Sequence, residues 1–393
     1  MKKNILNTIY VFFISLFLVF ILIEISLRLF LPQPTMKSLK GMLGKYYTSS
    51  NFNTFELKKN YSGTEPSQER PKERVSINTN EKGLRKTYEA KGAKDTILIL
   101  GDSYTFGVYV ADNDTYPSIL SRLLEKQENP HNVINAGYAS GFQTDQQYAW
   151  LNKYYISKNR CPKFVILGFF PGNDFTGINE NNWKSKDEYG MPLSVINENI
   201  IVTKSGHLKN KKRSSITIGS EFFYKIPIIH NIHSFVLAGR VIDKILNKIL
   251  KKGGLGYDLD TFSHYFGIYN KKFLGEEKKI LEIIDFMKLK LDMCGSNFII
   301  VNIPINFAIE PKFLKKVISN HHIKKTESVY HIRLEKMITD RGIHFINITK
   351  SMLKDYKLNK EINFFPANDE VHLNENGHYY VGKKIKEYIL NNF

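Results

Sequence analysis

The fold is decided by the stretch Ile97-Leu-Ile-Leu-Gly-Asp-Ser-Tyr-Thr-Phe-Gly107. Its first residues form a short apolar run that ends at Gly101, which is the pattern of a buried parallel strand. The small Gly101 lets the chain turn sharply, so Ser103 is predicted at the carboxyl edge of a sheet, where open α/β sheets bind ligands. A helix beginning there would point backbone N–H groups at a developing negative charge. Taken alone, Gly-Asp-Ser is weak evidence, because a serine at such a turn is commonly only a helix cap.

Strand and helix patterns alternate along most of the remaining chain. Short apolar runs predict the strands, and apolar residues at helical spacing predict the helices between them. The predicted strands are 96–100, 133–134, 164–170, 297–303 and 344–348, and the predicted helices are 114–126, 144–156, 276–293, 328–340 and 376–390. The alternation predicts an α/β fold, a flavodoxin-like parallel sheet sandwiched by helices.

The composition of the chain suggests three segments. Residues 1–32 are predicted to be a membrane anchor, and the polar segment 33–94 a tether and lead-in. Residues 95–393 are predicted to form one domain, with an insertion at about 175–273 where the strand-helix alternation weakens and Asn, Lys, Gly and Tyr are frequent.

The N-terminus predicts the location. No charged residue occurs from Asn4 to Ile23, a stretch long enough for a helix to cross about 30 Å of hydrocarbon. Lys2 and Lys3 precede it, so the positive-inside rule keeps the N-terminus cytoplasmic and predicts a periplasmic or extracellular position for the rest. A cleaved signal peptide is the alternative, but no small-residue cleavage site follows the apolar run.

Charge and cysteine content exclude other classes. The net charge of +18 would suit an anionic partner. The basic residues are scattered rather than gathered on a nucleic-acid module, so no nucleic-acid partner is predicted, while anionic lipid or polymer stays open. Cys161 and Cys294 have no metal-site or redox spacing. They are either buried thiols or one disulfide, which an exported location would permit.

A second chemical motif stands near the end of the chain, Asn368-Asp-Glu-Val-His-Leu-Asn-Glu-Asn-Gly377. A serine hydroxyl needs a base to become a nucleophile, and the base needs a carboxylate to fix its tautomer. His372 and Asp369 can supply both. By itself, the motif could equally be a solvated loop histidine with an unrelated acid nearby.

Taken together, the motifs resemble those of the SGNH, or GDSL-type, serine hydrolases. Gly101-Asp-Ser-Tyr-Thr-Phe-Gly107 is similar to the first block of that family and Asn135-Ala-Gly-Tyr-Ala-Ser-Gly141 to the second. Gly172-Asn-Asp174 is similar to the third block and Asp369-Glu-Val-His372 to the fifth, and all four occur in the family's order. The stretches 75–85 and 144–146 also look like membrane-anchored bacterial members, although they suggest no chemical role.

The resemblance implies a role for each matching residue. Ser103 would be the nucleophile, His372 the base and then the acid, and Asp369 the residue that orients His372. The oxyanion hole would comprise the backbone N–H groups of Ser103 and Gly141 and the side-chain amide of Asn173. Gly137 is the alternative to Gly141, because the second block is one residue longer than the family's usual spacing.

The resulting prediction is a serine hydrolase of the esterase, lipase or carbohydrate deacetylase type, which acts on acyl esters through a covalent acyl-enzyme outside the cytoplasmic membrane. No cofactor and no metal are implied. Two alternatives remain: an O-acyltransferase that modifies an envelope polysaccharide with the same site, and a non-catalytic envelope binding protein on the same fold. The expected partners are an acyl-ester substrate on an envelope glycan or lipid, and the membrane. The sequence does not predict the oligomeric state.

Overall fold

The structure is a computed structural model that describes residues 2–31, 33, 44–67, 73–175, 177–210, 222–223, 226, 229–249, 262–315, 328–366 and 371–393. The chain divides into two compact units. The anchor unit comprises Met1–Leu43 and Lys212–Gly256, and the sheet unit comprises Gly44–Lys211 and Tyr257–Phe393.

The described strands and helices are numbered here in chain order. The strands are β1 (Tyr47–Ser49), β2 (Phe55–Leu57), β3 (Ser62–Pro66), β4 (Arg74–Asn78), β5 (Asp95–Gly101), β6 (His131–Gly137), β7 (Phe164–Phe169), β8 (Asn182–Lys186), β9 (Pro192–Ile196), β10 (Ile200–Val202), β11 (Leu208–Asn210), β12 (Asn297–Asn302) and β13 (His344–Asn347). The α-helices are α1 (Lys2–Phe30), α2 (Ser103–Phe106), α3 (Tyr116–Glu125), α4 (Thr144–Tyr154), α5 (His233–Ile249), α6 (Lys271–Met293), α7 (Asn306–Ile309), α8 (Tyr330–Thr339), α9 (Ile348–Leu358) and α10 (Glu375–Asn392).

The sheet unit is built on five parallel strands in the order β13-β12-β7-β5-β6. Counted along the chain, this is the 2-1-3-4-5 order of flavodoxin-like folds, and it confirms the predicted fold class. Successive residues of β5 point to opposite faces, so Leu98 and Leu100 enter one apolar core and Ile97 and Ile99 enter the other. Side chains of α4, α6 and α8 fill the first core, and those of α3, α9 and α10 fill the second.

The lead-in segment folds onto the sheet unit. β1 pairs with β2 and β3 with β4 as antiparallel hairpins, and Phe55 and Ile77 are fully buried. Arg85, just beyond β4, pairs with Asn135 of β6 across an isolated bridge. Thus the residues between 44 and 94 that the structure describes form part of the sheet unit's packed body.

The predicted insertion contains elements that belong to both units. The hairpins β8–β9 and β10–β11 lie in the sheet unit, and α5 lies in the anchor unit. The first hairpin is fixed by Asp145 at the start of α4, whose carboxylate accepts hydrogen bonds from Trp183 Nε1 at 2.7 Å and Asn181 Nδ2 at 3.0 Å. This contact gives the stretch 144–146 a structural role that the sequence did not reveal.

A disulfide joins Cys161 to Cys294, with Cα atoms 5.6 Å apart. Cys161 precedes β7, and Cys294 ends α6 just before β12, the neighbour of β7 in the sheet. The cross-link therefore lies at the amino edge of the sheet and closes a loop of 133 residues. Of the two readings that the sequence left open, the structure shows the bonded one.

The anchor unit begins with α1. Asn7–Phe30 is a stretch of 24 residues that is long and apolar enough to cross a membrane, and it is the one such helix among the described residues. Core helices of soluble proteins and signal sequences can share that length and composition, but this stretch is not buried inside the protein.

Candidate active site

The turn after β5 places Ser103 where the sequence predicts it. A Cβ at Gly101 would lie 2.0 Å from Thr105 Oγ1 and 3.0 Å from the Gly168 carbonyl oxygen, so only glycine fits this close approach. Asp102 caps α2, because its Oδ1 accepts the Tyr104 N–H at 3.0 Å. Ser103 is the first residue of this helix and lies at the carboxyl edge of the sheet.

His372 meets Ser103 from the other end of the chain. Ser103 Oγ lies 2.9 Å from His372 Nε2, although 269 positions separate the two residues. The imidazole packs against the rings of Tyr104 and Tyr109, with centroids 5.2 and 5.6 Å away. Tyr104 also donates its hydroxyl hydrogen bond to the Val371 carbonyl, next to the histidine. These contacts hold the imidazole at hydrogen-bonding distance from the serine.

The predicted acid of the site, Asp369, lies outside the described residues. The other histidine of this region, His378, has a different environment: it is buried on α10, and its Nδ1 accepts the Tyr116 N–H at 3.2 Å. Burial lowers the pKa of His378 to about 3, so it stays neutral at physiological pH. Of these two histidines, the structure brings His372 to the serine.

Asn173, in the third sequence block, is hydrogen-bonded to the carboxylate of Asp102, in the first block. Its Nδ2 donates to Asp102 Oδ2 at 2.7 Å. Because the amide is planar, this bond fixes the direction of the Asn173 amide relative to Ser103's neighbour Asp102. The sequence did not predict this contact. The Gly-Asp-Ser motif shows that an acid precedes the serine, but it does not show which distant side chain that acid binds.

A second buried acid, Asp174, lies beside this pair. Burial raises the pKa of Asp102 and Asp174, and the negative charge of Asp102 raises the pKa of Asp174 further, well above its usual range. The Tyr104 N–H and the Asn173 amide both donate to Asp102 and oppose the rise of its pKa. Of the two acids, Asp174 therefore holds a proton more tightly than Asp102 does.

For Asp174, burial outweighs the hydrogen bonds that the carboxyl accepts. Its Oδ2 accepts the Phe170 N–H at 2.6 Å, while Oδ1 is buried and has no donor among the described residues. Gln147 also interacts with Asp174, and this contact lowers the pKa of the carboxyl and offsets part of the effect of burial.

The second block supports the serine turn from the adjacent strand. Asn135 Nδ2 donates to the Thr105 carbonyl at 2.9 Å, and Asn135 Oδ1 accepts the Gly137 N–H at 2.9 Å. The N–H of Gly137 is therefore already used within the strand. Gly141 lies four residues further along with φ of 39°, and a Cβ there would meet nothing within 4 Å.

Arg85 fixes the far end of α2. Its guanidinium donates to the carbonyls of Phe106 at 3.2 Å and Gly107 at 3.1 Å, and its Nε pairs with Asp112 Oδ1 at 2.6 Å. The residue is 1% exposed. The lead-in segment thus helps to position α2, the helix that begins with Ser103. This role of the stretch 75–85 was not predicted from the sequence.

A cleft of about 860 Å³ lies elsewhere on the sheet unit. Basic and aromatic side chains contribute to its walls, among them Lys58, Lys82, Tyr138 and Tyr154. Neither Ser103 nor His372 lines the cleft, so it is separate from the serine-histidine pair.

No protein-family model and no curated protein sequence matches the chain. Solved structures do resemble it in fold. One, described as TesA, is 10% identical, and the similarity covers 75% of this chain and 98% of that one at a TM-score of 0.38. The acetyl xylan esterase AlAXEase is 15% identical, with 75% and 99% covered and a TM-score of 0.38. A putative lipolytic protein of the G-D-S-L family from Desulfitobacterium hafniense DCB-2 is 11% identical, with 75% and 99% covered and a TM-score of 0.31.

Proposed function

We propose that this protein is a serine hydrolase of the SGNH type that cleaves acyl esters. The observation that carries the proposal is the distance of 2.9 Å between Ser103 Oγ and His372 Nε2, at the carboxyl edge of a parallel sheet. A hydroxyl at this distance from an imidazole nitrogen can transfer its proton as it attacks a carbonyl carbon.

The proposed reaction has two steps. Ser103 Oγ attacks the ester carbonyl while His372 takes the hydroxyl proton, and the tetrahedral intermediate collapses to an acyl-enzyme as His372 returns that proton to the leaving alcohol. Water then attacks the acyl-enzyme with His372 again as base, which releases the acid and restores the serine. Asp369 remains the predicted residue that orients His372.

The proposed oxyanion hole comprises the N–H groups of Ser103 and Gly141 and the amide of Asn173. Gly141 is preferred to Gly137 because the Gly137 N–H is occupied by Asn135 Oδ1. Asn173 contributes a donor whose plane is fixed by Asp102 before substrate arrives. Such preorganised donors stabilise the developing oxyanion without reorganisation, and one is commonly worth about 2.7–4 kcal/mol in the transition state.

The experiment is hydrolysis of p-nitrophenyl acetate and butyrate by the purified full chain in detergent. Ser103→Ala should lower kcat at least about 1,000-fold. The matched control is Ser157→Ala, because Ser157 is exposed beyond α4 and should leave turnover unchanged. Equal turnover by wild type and Ser103→Ala, with both folded, would contradict the proposal.

We also propose that α1 anchors the protein in the cytoplasmic membrane with the sheet unit on the outer side. The apolar stretch Asn7–Phe30, the lysines before it and the disulfide support this, since disulfides persist mainly in oxidising compartments. The chain should stay in the membrane fraction after an alkaline carbonate wash. In intact cells with a permeable outer layer, protease should reach the sheet unit; protection of that unit would contradict the orientation.

A further inference from the structure

We infer that an aromatic cluster of the insertion, formed by Phe222, Phe223 and Phe235, enters the same bilayer that α1 crosses and is covered by lipid acyl chains. The inference rests on the proposed anchoring of α1. It adds a second membrane-embedded element to the anchor unit, beside the carboxyl-terminal half of α1.

The contacts of α1 fix the depth of this cluster. From Ile9 to Val19 the described side chains of α1 are exposed, whereas Phe20, Ile21, Glu24 and Leu27 are partly or fully covered. These four positions fall on one stripe of a helix. Phe20 lies ten residues before the end of α1, which corresponds to about 15 Å along the axis, or half of a hydrocarbon layer of about 30 Å.

The aromatic cluster lies at the level of Phe20. The ring centroid of Phe235 is 5.8 Å from that of Phe20, and the Phe223 ring stacks on Phe235 at 5.5 Å. Phe222 contacts Phe223 edge to face, with ring centroids 5.3 Å apart, and is itself 59% exposed. An exposed phenylalanine beside the middle of a membrane span has acyl chains, rather than water, as its solvent.

Glu24 explains how a helix can begin at this depth. It is the only acidic residue before Arg28, and its two carboxylate oxygens accept the N–H groups of His233 and Ser234, both at 2.9 Å, where α5 begins. Arg28 Nε donates to the same carboxylate at 2.8 Å. An unpaired carboxylate and the unbonded N–H groups at the start of a helix each have a high free energy in a bilayer. Here the Glu24 carboxylate accepts hydrogen bonds from the N–H groups at the start of α5.

Three described residues before α5 also have internally bonded backbone N–H groups. The N–H groups of Ile226, His230 and Ile232 donate to the carbonyls of Phe223, Ile226 and Ile229 at 3.0–3.3 Å. Local bonds of this kind are what a non-helical segment needs in order to enter hydrocarbon. Midway along α5, Arg240 donates to Oε1 of Gln33, which follows the end of α1, at 2.9 Å.

The test uses nitroxide labels on single introduced cysteines in the full chain, reconstituted in phosphatidylcholine vesicles. Both native cysteines are in the disulfide, so the introduced thiol is the one that reacts. Phe222→Cys is the test position. Phe13→Cys in α1 marks the lipid environment and Tyr189→Cys, in the sheet unit, marks water; the three native side chains are 59–61% exposed.

For each nitroxide label, we compare the rate of collisions with oxygen, which partitions into lipid, with the rate of collisions with a water-soluble nickel chelate. The label at Phe222 should show the excess of oxygen collisions seen at Phe13, and the label at Tyr189 the reverse. If the Phe222 label behaves as the Tyr189 label does while Phe13 stays in lipid, the inference fails and the anchoring stands. If the Phe13 label is also in water, the anchoring fails and the inference with it.

Glu24→Ala provides a second variant. Without the carboxylate the start of α5 loses its cap, so the oxygen excess at Phe222 should fall while that at Phe13 is kept. An unchanged signal at Phe222 would overturn the role of Glu24 in placing the cluster.

Discussion

At the scale of single residues, Asp102 does two things that the serine motif alone does not suggest. It caps the helix that begins with Ser103, and it holds the amide of Asn173. We expect Asp102→Asn to lower kcat by roughly 100- to 1,000-fold with little change in KM, because an amide in place of the carboxylate meets Asn173 as donor against donor. Turnover is expressed per folded molecule, because a merely destabilised fold lowers the active fraction and would also lower the apparent kcat at unchanged KM.

Asp174 provides the matched control for that variant. Its pKa is raised well above the usual range by burial and by Asp102, so it gives up its proton less readily than Asp102 does. Asp174→Asn should therefore keep both kcat and the free energy of unfolding close to wild type. A large loss of activity in Asp174→Asn, equal to that of Asp102→Asn, would contradict the assigned proton positions.

Arg85 is the other residue whose importance appears only in three dimensions. Its charge is buried and satisfied by Asp112 and by carbonyls at the end of α2. Arg85→Met should lower the free energy of unfolding by about 3–5 kcal/mol, because Asp112 and the carbonyls lose their partner. Urea unfolding measures this, with the exposed Arg74→Met as control, which should change stability by less than about 0.5 kcal/mol. Similar unfolding curves for the two variants would contradict the argument.

At the scale of elements, the sequence predicted the strands and helices around the sheet because their apolar periodicity is long and regular. It did not predict the hairpins of residues 44–78, whose strands have three to five residues, too short for a period-2 pattern to stand out. Helix α9 was also missed, since Ile348 was assigned to the end of the preceding strand. Asp102, Arg85 and Asp145 act through tertiary contacts, which no local pattern encodes.

Asp145 makes the joint between α4 and the β8–β9 hairpin sensitive to pH. Burial raises its pKa to about 6 in the folded protein. The folded state therefore holds this proton more tightly than the unfolded state, so the stability due to this group falls as pH rises from about 4 to 6. A shift of this size corresponds to about 3 kcal/mol.

Asp145→Asn should remove that dependence. Between pH 4 and pH 7, the difference in unfolding free energy between variant and wild type should change by about 2.4 kcal/mol in favour of the variant. Chemical denaturation at both pH values measures it. A constant difference would show that the buried carboxyl titrates normally.

At the scale of the whole molecule, the disulfide and the serine site lie at opposite edges of the sheet. Replacing both Cys161 and Cys294 by serine opens a loop of 133 residues, which in the chain-entropy model lowers the free energy of unfolding by about 5 kcal/mol. Since the cross-link is at the amino edge, kcat per folded molecule should not change. Lost turnover in a variant that remains folded would contradict this separation.

The proposed hydrolase mechanism requires Ser103 to be a nucleophile, and the most direct measurement is the position of a fluorophosphonate adduct in the full chain. The probe phosphonylates a serine only when a base removes the hydroxyl proton. We predict one adduct, located by peptide mass spectrometry on Ser103, and no adduct in Ser103→Ala or His372→Ala, with Ser157→Ala labelled as in the wild type. An adduct on another residue, or none in a folded wild-type protein, would contradict the proposed hydrolase mechanism.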